Sequence, residues 1–238
     1  MWRPEKKNAL TADMYAALAD ALEAASASDE VRVVVIAGAP GAFTAGNDLA
    51  DFLHRPPRDR AAPVFRFIDA LPACPVPVVA AVDGPAAGIG TTMLLHCDLV
   101  YASTRTRFVL PFVNLALVPE AGSSLLLPRL AGLQRASELL MLGEPFDAAR
   151  GAEIGLVNAV CEPDAVEATA LAAARKLAAK PRAALRATKA LLRREPEPVA
   201  ARIDIELAEF DRHLDSPHAR EAFSAFLQRR PPDFDGLG

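Results

Sequence analysis

Two seven-residue apolar runs constrain this chain most: residues 31–37 read Val-Arg-Val-Val-Val-Ile-Ala, and residues 76–82 read Val-Pro-Val-Val-Ala-Ala-Val. A strand with one wet face alternates apolar and polar residues. Runs this apolar belong to strands covered on both faces, the pattern of a parallel sheet with helices packed against it. Each run breaks at a glycine-containing loop, Gly38-Ala39-Pro40-Gly41 and Asp83-Gly84-Pro85.

The segments around these runs alternate in kind. Thr11 is placed to cap a helix with Met14, Leu18, Leu22 and Ala25 on one face and Asp13, Asp20 and Glu23 on the other. Residues 87–96 read as a helix entered through glycine. Short strands are expected at 99–102, 108–110 and 156–160, with helical stretches near 121–130, 133–142 and 147–151. Strands alternating with helices, without tandem hairpin signals, predict an α/β fold. From about Asp164 onward the pattern is only helical, with breaks at Pro181, Pro196, Pro198 and Pro217. Ser216-Pro217 is an N-cap and first-turn pair, and Phe223, Phe226 and Leu227 give the helix after it one apolar face. Residues 1–180 thus read as an α/β core and 181–238 as a helical region. Its apolar faces call for a partner surface in the same chain or a neighbouring subunit.

Composition removes several classes of function. At 238 residues and 52% hydrophobic, the chain has enough apolar side chains for a full globular core. A net charge of −4 leaves no basic excess with which to neutralise phosphates, which argues against general nucleic-acid binding. The longest apolar runs are strand-length, short of the roughly 20 residues that a membrane helix needs. Cys74, Cys97 and Cys161 are widely spaced in apolar settings and read as reduced, buried thiols. His54, His96, His213 and His218 include no pair at metal-ligand spacing, so no metal is expected. Met1-Trp2-Arg3-Pro4 has neither the apolar region nor the cleavage site of an export signal, and the expected location is the cytoplasm.

The two glycine-containing loops are where a ligand approaches a backbone most easily. Gly41-Ala42-Phe43-Thr44-Ala45-Gly46-Asn47-Asp48-Leu49 and Asp83-Gly84-Pro85-Ala86-Ala87-Gly88-Ile89-Gly90 each follow a strand. Small residues admit close contact, and a strand end leading into a helix turns free N–H groups toward an anion. Gly88-Ile89-Gly90 lacks the spacing of a dinucleotide fingerprint and the lysine of a P-loop. Ser123-Ser124 lies outside any nucleophile elbow.

Taken in order, several stretches resemble the crotonase, or enoyl-CoA hydratase/isomerase, superfamily. They are Arg3-Pro4-Glu5-Lys6-Lys7-Asn8-Ala9-Leu10, Phe43 through Leu49, Asp83 through Gly90 with Cys97-Asp98, and Leu117-Val118-Pro119-Glu120-Ala121-Gly122-Ser123-Ser124. Three more follow: Ala149-Arg150-Gly151-Ala152-Glu153-Ile154-Gly155-Leu156-Val157-Asn158, Lys180-Pro181, and Glu221-Ala222-Phe223 to Arg230-Pro231. The resemblance covers essentially the whole chain. It implies a crotonase-like spiral of ββα units with a helical C-terminal region, packed over the site or into a trimer or dimer of trimers. It also implies an acyl-CoA substrate, with no cofactor beyond the coenzyme A that the substrate carries.

The resemblance also implies site residues. Family members stabilise an enolate with two backbone N–H groups, which the matching assigns to Ala45 and Ile89. Gly46, Asn47, Asp48, Leu49, Gly88 and Phe112 are expected to line the substrate, and Lys6 to meet CoA phosphates. On ungapped alignment, the two positions where family hydratases carry glutamate fall on Thr92 and Phe112. Glu120 instead resembles the single glutamate of the branch that converts 3-enoyl-CoA to 2-enoyl-CoA. One carboxylate suffices there, because the proton taken from C2 can be returned to C4. An apolar setting raises the pKa of such a carboxylate and a helix N-terminus lowers it, so the sequence leaves the balance open. The competing readings are an enoyl-CoA hydratase, with Asp48 or another residue helping to position water, and a non-catalytic acyl-CoA-binding protein. Family members carry a strand pair before the Arg-Pro-Glu-Lys segment, so this chain is expected to start late, leaving residues 31–37 beside an open sheet edge.

Overall fold

The computed structural model describes residues 1–57, 59–194, 196–214, 216–234 and 237. Residues 1–174 form one compact unit and residues 175–238 a second.

In the first unit, α1 (Ala12–Ala27) is capped by Thr11, whose hydroxyl accepts the Met14 N–H. Its buried residues are Tyr15, Ala19, Leu22 and Ala25, while Met14 and Leu18, expected at the centre of the apolar face, lie at its half-buried margin. The apolar arc is broad enough to face the core in more than one rotation. Packing selects one: the Tyr15 ring centre lies 5.6 Å from that of Phe67.

The first apolar run forms β1 (Val34–Ala37), and two helices, α2 (Leu49–His54) and α3 (Pro63–Ala73), then follow where no element was expected. The second run forms β2 (Val78–Val82), every residue of which is buried. β3 (Pro85–Ala87) comes next, then α4 (Ile89–Thr92), which continues as a 3₁₀ turn, Met93–His96. The helix expected over 87–96 is thus present from Ile89 to His96, its second half 3₁₀, while Ala87 at its expected start ends β3. Pro-Ala-Ala has little intrinsic strand preference and is held as β3 by its neighbours.

β4 (Leu99–Ser103) and β5 (Arg107–Val109) precede α5 (Ser123–Ala131) and α6 (Leu133–Ser137), the latter running into a π-helical turn. β6 (Phe146–Asp147), α7 (Ala148–Glu153), β7 (Ala159–Cys161) and α8 (Val166–Ala178) complete the order. β7 begins three residues later than the sequence pattern suggests, because Leu156 and Val157 enter the core through a turn.

Four strands form a parallel sheet in the order β1-β2-β4-β7, with β1 at an edge, and a second sheet runs β3-β5-β6. Only the β5–β6 pair is antiparallel. This is the mixed α/β architecture that the two apolar runs require. Asp83 and Gly84 carry the chain from the first sheet to the second: Asp83 pairs with Arg105 and accepts the Gly41 N–H. A Cβ on Gly84, at φ +77°, would meet the Gly41 carbonyl oxygen at 2.1 Å, so only glycine fits the crossing.

The second unit begins inside α8 and contains α9 (Arg182–Leu192), α10 (Val199–Leu214) and α11 (Pro217–Leu227). Ser216 caps α11 by accepting the Ala219 N–H, with Pro217 in the first turn. Val199, Ile203, Leu207, Phe210 and Leu214 follow one another along one stripe of α10 and are all exposed, as are Phe223, Phe226 and Leu227 on α11. Among the described residues no helix is long and apolar enough to cross a membrane. The three cysteines are free thiols, but only Cys74 is fully buried, while Cys97 and Cys161 are half-buried.

Candidate active site

The loop after β1 is built on a buried asparagine. Asn8, in the left-handed region at φ 55°, donates from Nδ2 to the carbonyls of Ala42 (2.7 Å) and Phe43 (3.2 Å). Thr44 returns the contact, its hydroxyl donating to the Asn8 carbonyl at 2.7 Å and accepting the Gly46 N–H at 3.0 Å. Thr44 also joins this loop to the next. Its N–H donates to the Pro85 carbonyl, and its carbonyl accepts the Ala87 N–H. The approach is close enough that a Cβ on Gly46 would lie 2.7 Å from the Ala87 oxygen, and one on Gly90 2.5 Å from Thr44 Cγ2.

This ladder decides which N–H groups face outward. The Ala45 N–H, expected to be a free donor, instead donates to the Lys7 carbonyl at 2.9 Å. That assignment is corrected by the hydrogen bond: the Ala45 nitrogen is already engaged. Two residues on, Leu10 brackets Asn47 in a parallel bridge, donating to the Gly46 carbonyl and accepting the Asp48 N–H. In parallel pairing the bracketed residue turns its own N–H and C=O the other way. Among the described residues the Asn47 N–H has no backbone partner.

The second loop ends in the same condition. Gly88, at φ 54° and ψ −117°, donates to the Val109 carbonyl and accepts from both Thr91 and Thr92, starting α4. Ile89 is the first residue of that helix, and its N–H is among those that a helix start leaves unpaired within the helix. Among the described residues it has no backbone partner either. The Ile89 side chain is buried in the core.

One helical turn beyond Ile89 stands Thr92, fully buried, whose hydroxyl donates to Glu120 Oε1 at 2.5 Å. Glu120 does not open a helix as expected. α5 starts three residues later, and the Glu120 carbonyl accepts the N–H and hydroxyl of Ser123. His96 holds the same segment through a ring-nitrogen hydrogen bond to the Ala121 carbonyl at 2.7 Å. With Glu120 outside the helix, burial dominates. It pushes the carboxyl up to about 7, against the opposing pull of the Thr92 hydrogen bond.

Asp48 caps α2, accepting from Ala50 and Asp51, and pairs with Arg3 Nη1 at 2.6 Å. The Arg3 hydrogen bond first, and the Asp51 N–H next, hold its carboxyl below the usual range, which suits a structural anion and not a base. Lys6 is exposed at the surface and Leu49 is largely exposed, whereas Phe112 is buried in the core. Tyr15 was not among the expected site residues. Its hydroxyl donates to Asn47 Oδ1, and burial, then the charge of Glu120, push the phenol well above its ordinary value. A tyrosine on the apolar face of a helix reads as core from sequence, and only the fold shows what its hydroxyl meets. Tyr15 also borders a cleft of about 470 Å³ lined by Leu10, Phe52, Pro56, Pro63 and Val64 among others.

The two loops thus leave two peptide N–H groups, of Asn47 and Ile89, without a backbone partner among the described residues, tied together by the Thr44 ladder, with the buried Glu120 carboxyl held by Thr92 on the helix that Ile89 begins. A sequence model of the enoyl-CoA hydratase/isomerase family matches residues 1–237, and the chain belongs to that family. It is 36% identical to the 1,2-epoxyphenylacetyl-CoA isomerase of Escherichia coli K12, over 98% of this chain and 92% of that protein. It is 35% identical to the 2,3-dehydroadipyl-CoA hydratase of the same organism, again over 98% and 92%. Its fold also matches the solved structure of a candidate enoyl-CoA hydratase/carnithine racemase from Magnetospirillum magneticum AMB-1, with a TM-score of 0.95 and 52% identity over 98% of this chain and 92% of that one.

Proposed function

We propose that this protein is an isomerase that moves the double bond of a 3-enoyl-CoA to the 2-position. Relatives at nearly equal identity are named for isomerisation and for hydration, so the choice rests on the site. The observation that carries it is that Thr92, at a position where the family resemblance implies a hydratase glutamate, is committed to holding Glu120. Hydration needs one group to deprotonate water and a proton delivered to the α-carbon. A threonine hydroxyl is no base near neutral pH.

In this reading Glu120, as carboxylate, removes a proton from C2 of the thioester. The electron pair moves onto the thioester oxygen as a dienolate, whose oxygen accepts hydrogen bonds from the N–H groups of Asn47 and Ile89. Each such donor typically contributes about 10² to 10³ in rate. Collapse of the dienolate takes the proton back at C4, leaving the double bond between C2 and C3 and the carboxylate regenerated. A carboxyl that titrates near 7 suits both halves, since it is readily deprotonated and readily gives the proton back. The cleft bordered by Tyr15, where Leu10, Phe52 and Val64 stand with Asp13, Asp51, Arg55 and Asp59, is the space this reading assigns to the acyl chain.

The experiment is to incubate the protein separately with 3-enoyl-CoA and 2-enoyl-CoA of matched chain length. Double-bond migration from the first, without 3-hydroxyacyl-CoA from the second, is expected. Rapid hydration would assign the hydratase reaction, and binding without turnover of either substrate would assign a carrier role.

A further inference from the structure

Tyr15 has no part in the chemistry just described, yet its hydroxyl ends at the residue that supplies the first N–H. The ring is 1% exposed and lies on a 16-residue helix anchored by the Thr11 cap and the Phe67 ring. A buried tyrosine O–H takes an acceptor, and here the acceptor is Asn47 Oδ1. The Asn47 peptide is bracketed on one side by Leu10. Its side chain, which would otherwise swing in the loop, is tethered to α1. Oxyanion donors act only when their direction is set before the charge develops.

We propose that Tyr15 is a positioning residue: through its hydrogen bond to Asn47 it holds the Asn47 N–H in line with the thioester oxygen. This rests on the oxyanion reading given above. It makes Tyr15 part of the machinery without contact between its hydroxyl and the reacting atoms. It also explains why a polar aromatic stands at a position where any apolar side chain would fill the core.

The test uses acetoacetyl-CoA, whose enolate absorbs in the near ultraviolet and whose binding is measured separately by calorimetry. Wild-type protein is expected to bind it and raise its enolate fraction. Tyr15→Phe keeps the ring, and should bind within about threefold of wild type while the enolate-to-keto ratio falls about tenfold, part of what one oxyanion donor supplies. Asn47→Ala keeps the peptide N–H, reads the same tether from the other end, and should show the same loss. Because both changes remove one tether, the double variant should lose no more than either single. A wild-type ratio in Tyr15→Phe, or losses that multiply in the double variant, overturns the proposal. Wild-type protein that binds the probe without enolising it overturns the oxyanion reading, and this proposal with it.

Discussion

The Thr92 hydroxyl and the Glu120 carboxylate are hydrogen-bonded across 2.5 Å, and the threonine is fully buried. The bond holds Oε1 from the helix that begins at Ile89, so the proposed base is tied to the helix that carries one of the proposed N–H donors. It also favours the charged carboxylate, opposing the burial that favours the neutral acid.

Replacing Glu120 with Gln keeps size and polarity and removes basicity. Turnover of 3-enoyl-CoA should fall by at least about 10²-fold, while acyl-CoA affinity stays within a few-fold. Steady-state kinetics and calorimetry on the same preparation check both halves. A variant keeping a tenth of wild-type kcat would move the proton transfer to another group.

With burial pushing the Glu120 carboxyl up to about 7 in the free protein, kcat/KM should fall on the acid side of about that pH. Stability carries the same signature. A carboxyl raised from its ordinary 4.5 binds more protons folded than unfolded between the two values, so its contribution to stability diminishes as pH rises through that window. The full effect is on the order of 3 kcal/mol. Glu120→Gln should therefore melt higher than wild type at pH 8, with the gap closing toward pH 4.5. An equal gap at both pH values would contradict the raised pKa.

Thr92→Val removes the hydrogen bond that favours the carboxylate. The acid limb of the rate profile should then move to higher pH, by up to about one unit, with activity at pH 7 reduced accordingly. A shift to lower pH would mean that the hydroxyl favours the neutral acid instead.

Isomerisation should exceed hydration of 2-enoyl-CoA by at least about 10²-fold in kcat/KM, the least that one positioned acid/base group supplies. Parallel assays of double-bond migration and 3-hydroxyacyl-CoA formation measure the ratio. Comparable rates would return the protein to the hydratases.

The exposed stripe from Val199 to Leu214 on α10 predicts association, and the family resemblance implies a trimer. Light scattering should give a trimer or a multiple of it, and Phe210→Glu should reduce that mass. A monodisperse monomer would count against the assembly.

The parallel sheet was legible in the two apolar runs, because strands covered on both faces leave few other architectures open. Glu120 and Ile89 were legible as site residues only through resemblance, since neither a glutamate after a proline nor an isoleucine between glycines announces itself. Residues 49–73 were not read as helices. α2 is short and set by the Asp48 cap, whereas α3 carries its own signal, Pro63 in its first turn and Val64, Phe67 and Leu71 on one buried face. The choice between Ala45 and Asn47 was beyond sequence for a different reason. Backbone donors leave no mark in side-chain identity, and which N–H is free is decided by the carbonyl that pairs with its neighbour, here that of Lys7 or Leu10.

Thr44, in the first loop, donates to Pro85 and accepts from Ala87 in the second, with its own main chain. The spacing between the Asn47 and Ile89 nitrogens is therefore set by main-chain pairing, with glycine required at 46 and 90 and the Asn8 and Thr44 side chains bracing the first loop. In the reading proposed above the acid enters from position 120, and the resemblance implies positions 92 and 112 for family hydratases, none of them part of the Thr44 ladder. On that reading a scaffold so divided trades one reaction for another by relocating an acid, because the two N–H groups stay where the backbone put them.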